Sequence, residues 1–402
     1  VRNEIVRGLS KTIKNTNKNG PPNIHVQWPR ITKESRGFSV PIGFAESKLP
    51  ELLHEISIDN ILSIEDVSLE FHLRPEQEIF LRHVLKKDAT RVFSQAWSLK
   101  PGFGKTITCM AAIKYYNMDT VIVVHRACLL TQWKKEIDMY FKGSSQNIKV
   151  VMLSKLGEER NIKLLVIDEA HACMTAKSIY SFANVFPSIL IGLSGSFFRY
   201  DVNDQYLKWL YGDPITLPND ALALLNKSTS RKILLRTVYS NISPKLEYKN
   251  DRLDWNLVLT SLAENEERNK IILNLVNFYV DKKILILVKR VDHGKLLHDL
   301  IKDYTTVEMC FGNDQMTPER INARVLIGTS MKIGTGMDID SLNCIILATD
   351  LVNYTIQYVS RILRKKTQDA LIIDIIDDNN TLRRHFGERK KVYKELGVFE
   401  IK

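Results

Sequence analysis

The sequence is short of cysteine, of acid and of long apolar runs, and each shortage excludes something. Five cysteines, at 109, 128, 173, 310 and 344, are scattered through 402 residues. Their number is odd, their neighbours are mostly apolar and none stands at a zinc-ligand spacing, so neither a disulfide framework nor a metal cluster is expected. They read as buried thiols of an intracellular protein kept in a reducing compartment. No stretch approaches the ~20 apolar residues that span a bilayer, so no membrane partner is expected. Repeats of solenoid length and low-complexity tracts are also missing. Asp and Glu number 46 against 57 Lys and Arg, a formal charge of +11, which favours a polyanionic partner.

What is present is a soluble, globular composition, 44% hydrophobic and 26% charged, with room for two or three domains. Residues 1–40 carry eight Lys/Arg against two acidic residues, more than half of the net excess. That stretch reads equally as a solvated basic arm or as a nucleic-acid contact. With Gly20-Pro21-Pro22 and a short amphipathic run at 37–44, residues 1–70 are expected to form a basic accessory module. From 71 to 215 helices alternate with short apolar runs of the parallel-sheet type at 120–124, 149–153, 163–168 and 188–193. Residues 216–255, with Pro218 and Pro244, read as a connector. The alternation resumes over 256–402, with strands expected at 283–288, 324–328, 343–348 and 370–374. The fold class is therefore α/β, with two successive parallel-sheet units.

Two segments carry the chemistry. Pro101-Gly102-Phe103-Gly104-Lys105-Thr106 opens a helix expected over 106–116. There the free backbone N–H groups and the positive dipole end suit a polyphosphate. Gly102 and Gly104 let the backbone approach the phosphates, Lys105 reaches the β and γ oxygens, and Thr106 is placed to ligate Mg²⁺. Leu99 stands where the strict phosphate-loop pattern wants glycine. The second segment, Leu164-Leu165-Val166-Ile167-Asp168-Glu169-Ala170-His171, is an apolar strand that delivers two carboxylates at its end. Asp168 is expected to hold the Mg²⁺ and Glu169 to orient or deprotonate the attacking water. In this order, the pair points to hydrolysis of a nucleoside triphosphate, with ATP and Mg²⁺ as cofactors.

Over roughly residues 71–366 the chain resembles the superfamily 2 helicases and translocases. Within them it resembles the branch that includes the TFIIH-type DNA translocase, restriction-enzyme motor subunits, phage branch-migration helicases and poxvirus-type transcript-release helicases. The resemblance implies two tandem RecA-like P-loop NTPase domains. Leu73-Arg74-Pro75-Glu76-Gln77 is similar to the family's Leu-Arg-Pro-Tyr-Gln, which makes Gln77 the adenine reader and puts Arg74 in the nucleotide set. Leu99 is itself common in this branch. Leu129-Leu130-Thr131-Gln132-Trp133 resembles the motif laid on the nucleic-acid backbone, with His125-Arg126 replacing the usual Pro-Thr. Arg126, Gln132 and Ser154 are thereby implied as nucleic-acid contacts, an Arg there being able to pair bidentately with a phosphate.

Ser194-Gly195-Ser196 resembles motif III, and Ser194, Ser196 and His171 are implied as residues that transmit nucleotide state. In the second unit, Gly328-Thr329-Ser330 through Gly336-Met337-Asp338 resembles motif V. It implies Thr329 on a nucleic-acid phosphate and Gly336 and Asp338 at the nucleotide. Gln357-Tyr358-Val359-Ser360-Arg361-Ile362-Leu363-Arg364 resembles Gln-x-x-Gly-Arg-x-x-Arg, with Ser360 at the glycine. Gln357 then joins the coupling set, and Arg361 and Arg364, three apart on one helical face, become arginine fingers for the γ-phosphate.

The resemblance implies a monomeric 3′-to-5′ motor acting on duplex, forked or branched DNA in replication, recombination or repair. A transcription role, releasing transcripts or opening promoters, and an RNA helicase stand as alternatives, as does a non-enzymatic clamp. Lys, Asn and Ile usage is compatible with a phage or viral origin, and so with the cytoplasm of an infected cell.

Overall fold

The structure is a computed structural model. It describes residues 10–14, 23–27, 40–50, 72–85, 91–100, 102–141, 146–175, 178–195, 197, 204–227, 231–249, 252–312, 314–333, 341–351, 355–359, 362 and 368–401. The chain divides into two compact units, Val1–Leu225 and Asn226–Lys402.

The first unit opens with an antiparallel pair, β1 Ser10–Lys14 and β2 Asn23–Gln27. Its main sheet has β3 Phe93–Ser98, β4 Thr120–Val124, β5 Ile148–Met152, β6 Leu164–Asp168, β7 Ile189–Ser194 and β8 Pro214–Ile215, in the order β5-β4-β6-β7-β3-β8. Every pairing is parallel. Helices α1 Ile42–Lys48, α2 Pro75–Val84, α3 Lys105–Tyr116, α4 Ala127–Tyr140 and α5 Ala170–Cys173 lie among these strands in the chain.

Parallel strands are covered on both faces, which is why β4, β6 and β7 are apolar but for one end residue each, Thr120, Asp168 and Ser194. Successive residues of β6 divide between two cores: Leu164 and Val166 join Phe80, Trp97 and Trp133, while Leu165 and Ile167 join Cys173, Phe182 and Tyr211. Gly192 of β7 has no room for a side chain, because a Cβ there would stand 2.6 Å from the Tyr211 ring.

Strand β3 was not expected, since Phe-Ser-Gln-Ala-Trp-Ser is half polar. Its polar atoms are satisfied inside. Gln95 donates to the Val84 carbonyl at 2.6 Å and accepts from the Trp97 indole at 2.8 Å. Ser94 gives both its backbone N–H (2.8 Å) and its hydroxyl (2.9 Å) to Glu46 of α1.

This last contact ties α1 to the main sheet. Val40, Ile42, Phe44 and Leu49 pack against the first unit's core, so residues 40–50 belong to it.

The second unit is a seven-stranded parallel sheet. Its strands are β9 Ile233–Tyr239, β12 Ile284–Val288, β13 Val307–Cys310, β14 Val325–Thr329, β15 Cys344–Leu347, β16 Ala370–Ile376 and β17 Phe399–Ile401, in the order β13-β14-β12-β15-β16-β9-β17. Short β10 Tyr248–Lys249 and β11 Arg252–Leu253 form a separate hairpin. Strand β9 lies between β16 and β17, so the stretch expected to be a connector supplies an inner strand of this sheet. Its side chains are mostly half-buried, which blurs the apolar run that marks the other inner strands.

Candidate ATP and nucleic-acid site

Helix α3 starts where the backbone has just passed through two left-handed glycines, Gly102 at φ 83° and Gly104 at φ 88°. Gly104 is required twice over, because a Cβ there would also lie 2.6 Å from Nε2 of Gln77. The loop is anchored from below by Phe103, fully buried and edge-on to Phe80 at 5.8 Å. Leu99, the departure from the strict loop pattern, is also fully buried, and its N–H donates to the Ser194 carbonyl at 2.9 Å. Its side chain is a core group that glycine would leave as a void.

Arg74 and Gln77 clasp the same loop. The Arg74 backbone N–H donates to Oε1 of Gln77 at 2.9 Å, and Nε2 of Gln77 donates to the Phe103 carbonyl at 2.8 Å. The Arg74 guanidinium donates to the carbonyls of Gly102 (3.3 Å) and Phe103. Gln77 is 2% exposed, and these bonds use one lone pair and one N–H of its amide to hold the loop.

The carboxylates arrive at the end of β6. Oδ1 of Asp168 accepts from the Glu169 N–H at 2.9 Å, and Oδ2 accepts from the indole N–H of Trp133, on α4, at 2.8 Å. Burial, together with the neighbouring Glu169 charge, pushes the Asp168 carboxyl up to about 6; the Trp133 bond and the nearby Lys105 ammonium pull the other way. Lys105 and Asp168 are thus within electrostatic reach of each other. Glu169 has a left-handed backbone, φ 49°, which turns the chain sharply into α5.

From α5, Nδ1 of His171 stands 2.7 Å from Oγ of Ser194 and 3.5 Å from a Glu169 oxygen. A continuous path therefore runs from Glu169 through His171 to the end of β7, whose carbonyl holds Leu99. His125, beside Arg126, has an Nδ1 with no hydrogen-bond partner among the described residues, and burial lowers its pKa to about 4, so it is neutral at pH 7.

Oxygen donors suit Mg²⁺: the Asp168 carboxylate and the Thr106 hydroxyl are hard donor groups that would fit it, and no cluster of three His, Cys, Asp or Glu exists among the described residues. An ion held by one carboxylate and completed by phosphates and water is the usual mode for this metal.

Arg126 immediately precedes α4 at its N-cap position and Gln132 is exposed on that helix. Ser154 is exposed in the turn that follows β5. In the second unit Thr329 ends β14, 8% exposed, and its hydroxyl accepts from the Lys332 N–H at 3.4 Å. Gly336, Asp338, Ser196, Arg361 and Arg364 lie outside the described residues, as does the side chain of Gln357. Sequence reasoning missed the Trp133 bond to Asp168. Its one signal was a tryptophan on the buried side of a helix whose neighbour, Gln132, faces out.

The chain matches the family model for the type III restriction enzyme res subunit over residues 70–160. It is 29% identical to "Putative helicase 161L" of Invertebrate iridescent virus 6, across 96% of this chain and 94% of the relative. It is 21% identical to the transcript termination protein A18 of Yaba-like disease virus, across 80% of the chain and 77% of that protein. In fold it is similar to S. cerevisiae Dbp5 bound to RNA and ADP BeF3, with a TM-score of 0.53 and 14% identity, covering 84% of this chain and 95% of that one. With two parallel-sheet α/β units and the phosphate loop opening α3, these likenesses make the chain similar to the superfamily 2 helicases and match it to their tandem RecA-like fold.

Proposed function

We propose that the protein is a Mg²⁺-dependent DNA translocase of 3′-to-5′ polarity that remodels forked or branched DNA. The observation that carries the catalytic part is the chain of contacts from the Gly104 loop to Asp168, Glu169, His171 and Ser194. Gly102, Gly104, Lys105 and Thr106 cradle the triphosphate. Gln77 and Arg74 hold that loop and read the adenine, so base recognition and loop position are one event. Asp168 and Thr106 are the groups that would hold Mg²⁺, which when bound would neutralise phosphate charge. Glu169 orients the attacking water. His171 and Ser194, with Ser196 and Gln357, pass the state of that site to the strand ends. Gly336 and Asp338 belong to the nucleotide set, and Arg361 and Arg364 act as arginine fingers.

Arg126, Gln132, Ser154 and Thr329 contact the nucleic-acid backbone, without sequence preference and with strong salt dependence. The net charge of +11 supports a polyanion as partner. A second reading, a motor serving transcription in a virus-infected cell, is favoured by the likeness to a poxvirus transcript termination protein.

ATP hydrolysis measured with single-stranded, duplex and forked DNA and with RNA separates these. Stimulation greatest with forked DNA is expected. Stimulation by RNA alone would overturn the DNA assignment, and release of transcripts from stalled elongation complexes without fork remodelling would favour the second reading.

A further inference from the structure

Trp133 lies 35 residues before Asp168 in the chain, on a different element, and is 2% exposed in the first unit's core. A purely apolar neighbourhood would be filled as well by Leu or Phe, whereas a buried indole brings an N–H that needs an acceptor. That acceptor is Oδ2 of Asp168, at 2.8 Å.

A carboxylate offers about four lone-pair sites. The Glu169 N–H takes one on Oδ1 and the Trp133 indole one on Oδ2, which fixes rotation about the carboxylate's own axis and leaves one site on each oxygen. The Glu169 contact alone comes from the adjacent residue and holds one oxygen only. On α4, Gln132 is exposed while Trp133 is buried, so neighbouring residues of one helix face outward and toward Asp168.

We propose that Trp133 is a positioning residue for the metal-holding carboxylate, fixing Asp168 through its indole N–H and tying the helix of Arg126 and Gln132 to the ATP site. This rests on the reading of Asp168 as the Mg²⁺ ligand.

The test uses the full chain with Trp133→Phe, and with 3-benzothienylalanine at 133 as an isostere that keeps the ring volume and removes the donor. Two quantities are read: the Mg²⁺ dependence of ATP hydrolysis, and Mn²⁺ binding to the ADP-loaded protein by electron paramagnetic resonance. Loss of an outer hydrogen bond to a metal ligand costs about 10- to 100-fold in metal affinity. That loss is expected in both readouts, with affinity for a fluorescent ADP analogue in EDTA unchanged. Wild-type Mg²⁺ dependence and Mn²⁺ affinity in the isostere would overturn the proposal, and the isostere decides if Trp133→Phe fails to fold. Asp168→Asn is the control: if it keeps wild-type Mn²⁺ affinity, the underlying assignment of Asp168 fails, and if it alone loses Mn²⁺, only the role of Trp133 fails.

Discussion

Gly102 and Gly104 share a left-handed backbone but differ in what surrounds them, and alanine at each separates backbone strain from contact. An added Cβ at 102 meets nothing within 4 Å, whereas at 104 it meets Gln77 Nε2 at 2.6 Å and the Arg74 guanidinium at 3.2 Å. The left-handed conformation costs an L-residue roughly 1–2 kcal/mol at either site. At 104 the Gln77 amide must also move, losing its bond to the Phe103 carbonyl, a further ~0.5–1.5 kcal/mol. Gly104→Ala is therefore expected to destabilise the first unit by about 2–3 kcal/mol and Gly102→Ala by about 1–2 kcal/mol. Urea unfolding followed by tryptophan fluorescence measures this in a Trp255→Phe background, where all remaining indoles belong to Val1–Leu225. In a Gln77→Ala background the excess at 104 should vanish, which a double-mutant cycle reads directly. Equal losses at 102 and 104, or an excess that survives Gln77→Ala, would refute the clasp.

Two further outcomes concern the second unit. His293, 4% exposed and bonded to Asn269 at 3.0 Å, is pushed down to about 3 by burial, while the unfolded chain binds its proton near the usual His value. The unfolded state thus holds more protons between those values, so stability falls as pH drops from about 6.5 toward 3, by up to ~1.4 kcal/mol per pH unit. His293→Gln should flatten this slope in unfolding curves at pH 7, 6 and 5, and an unchanged slope would contradict it. Asp374, fully buried, accepts two bonds from Arg389 (2.8 and 2.9 Å) and one from Tyr393 (2.7 Å). Arg389→Met leaves that carboxylate buried without its cation and is expected to cost about 3–5 kcal/mol in urea unfolding of the second unit; a loss below ~1 kcal/mol would show that the pair is dispensable.

Much of this was legible because parallel sheets write themselves as apolar runs. The strands expected at 120–124, 163–168 and 283–288 correspond to β4, β6 and β12 within one residue. Strand β3 was not legible because its Ser94 and Gln95 are satisfied by Glu46 and Val84, partners that only the fold brings near. Strand β9 was hidden by its half-buried side chains among prolines and polar residues. At the site, glycines before a helix and carboxylates after an apolar strand announce themselves through local chemistry. The bonds of Gln77 to Phe103 and of Trp133 to Asp168 join separate elements across 26 and 35 residues, a relation that spacing alone does not encode.

The central claim, that Glu169 at the end of β6 activates water in a nucleic-acid-dependent ATPase, is tested most directly by steady-state ATP hydrolysis of the wild-type chain and Glu169→Gln, with and without nucleic acid. Turnover stimulated by nucleic acid is expected in the wild type. In Glu169→Gln a loss of about 10²- to 10⁴-fold is expected with ATP binding retained. Wild-type turnover in Glu169→Gln, or hydrolysis indifferent to every nucleic acid tried, would contradict it.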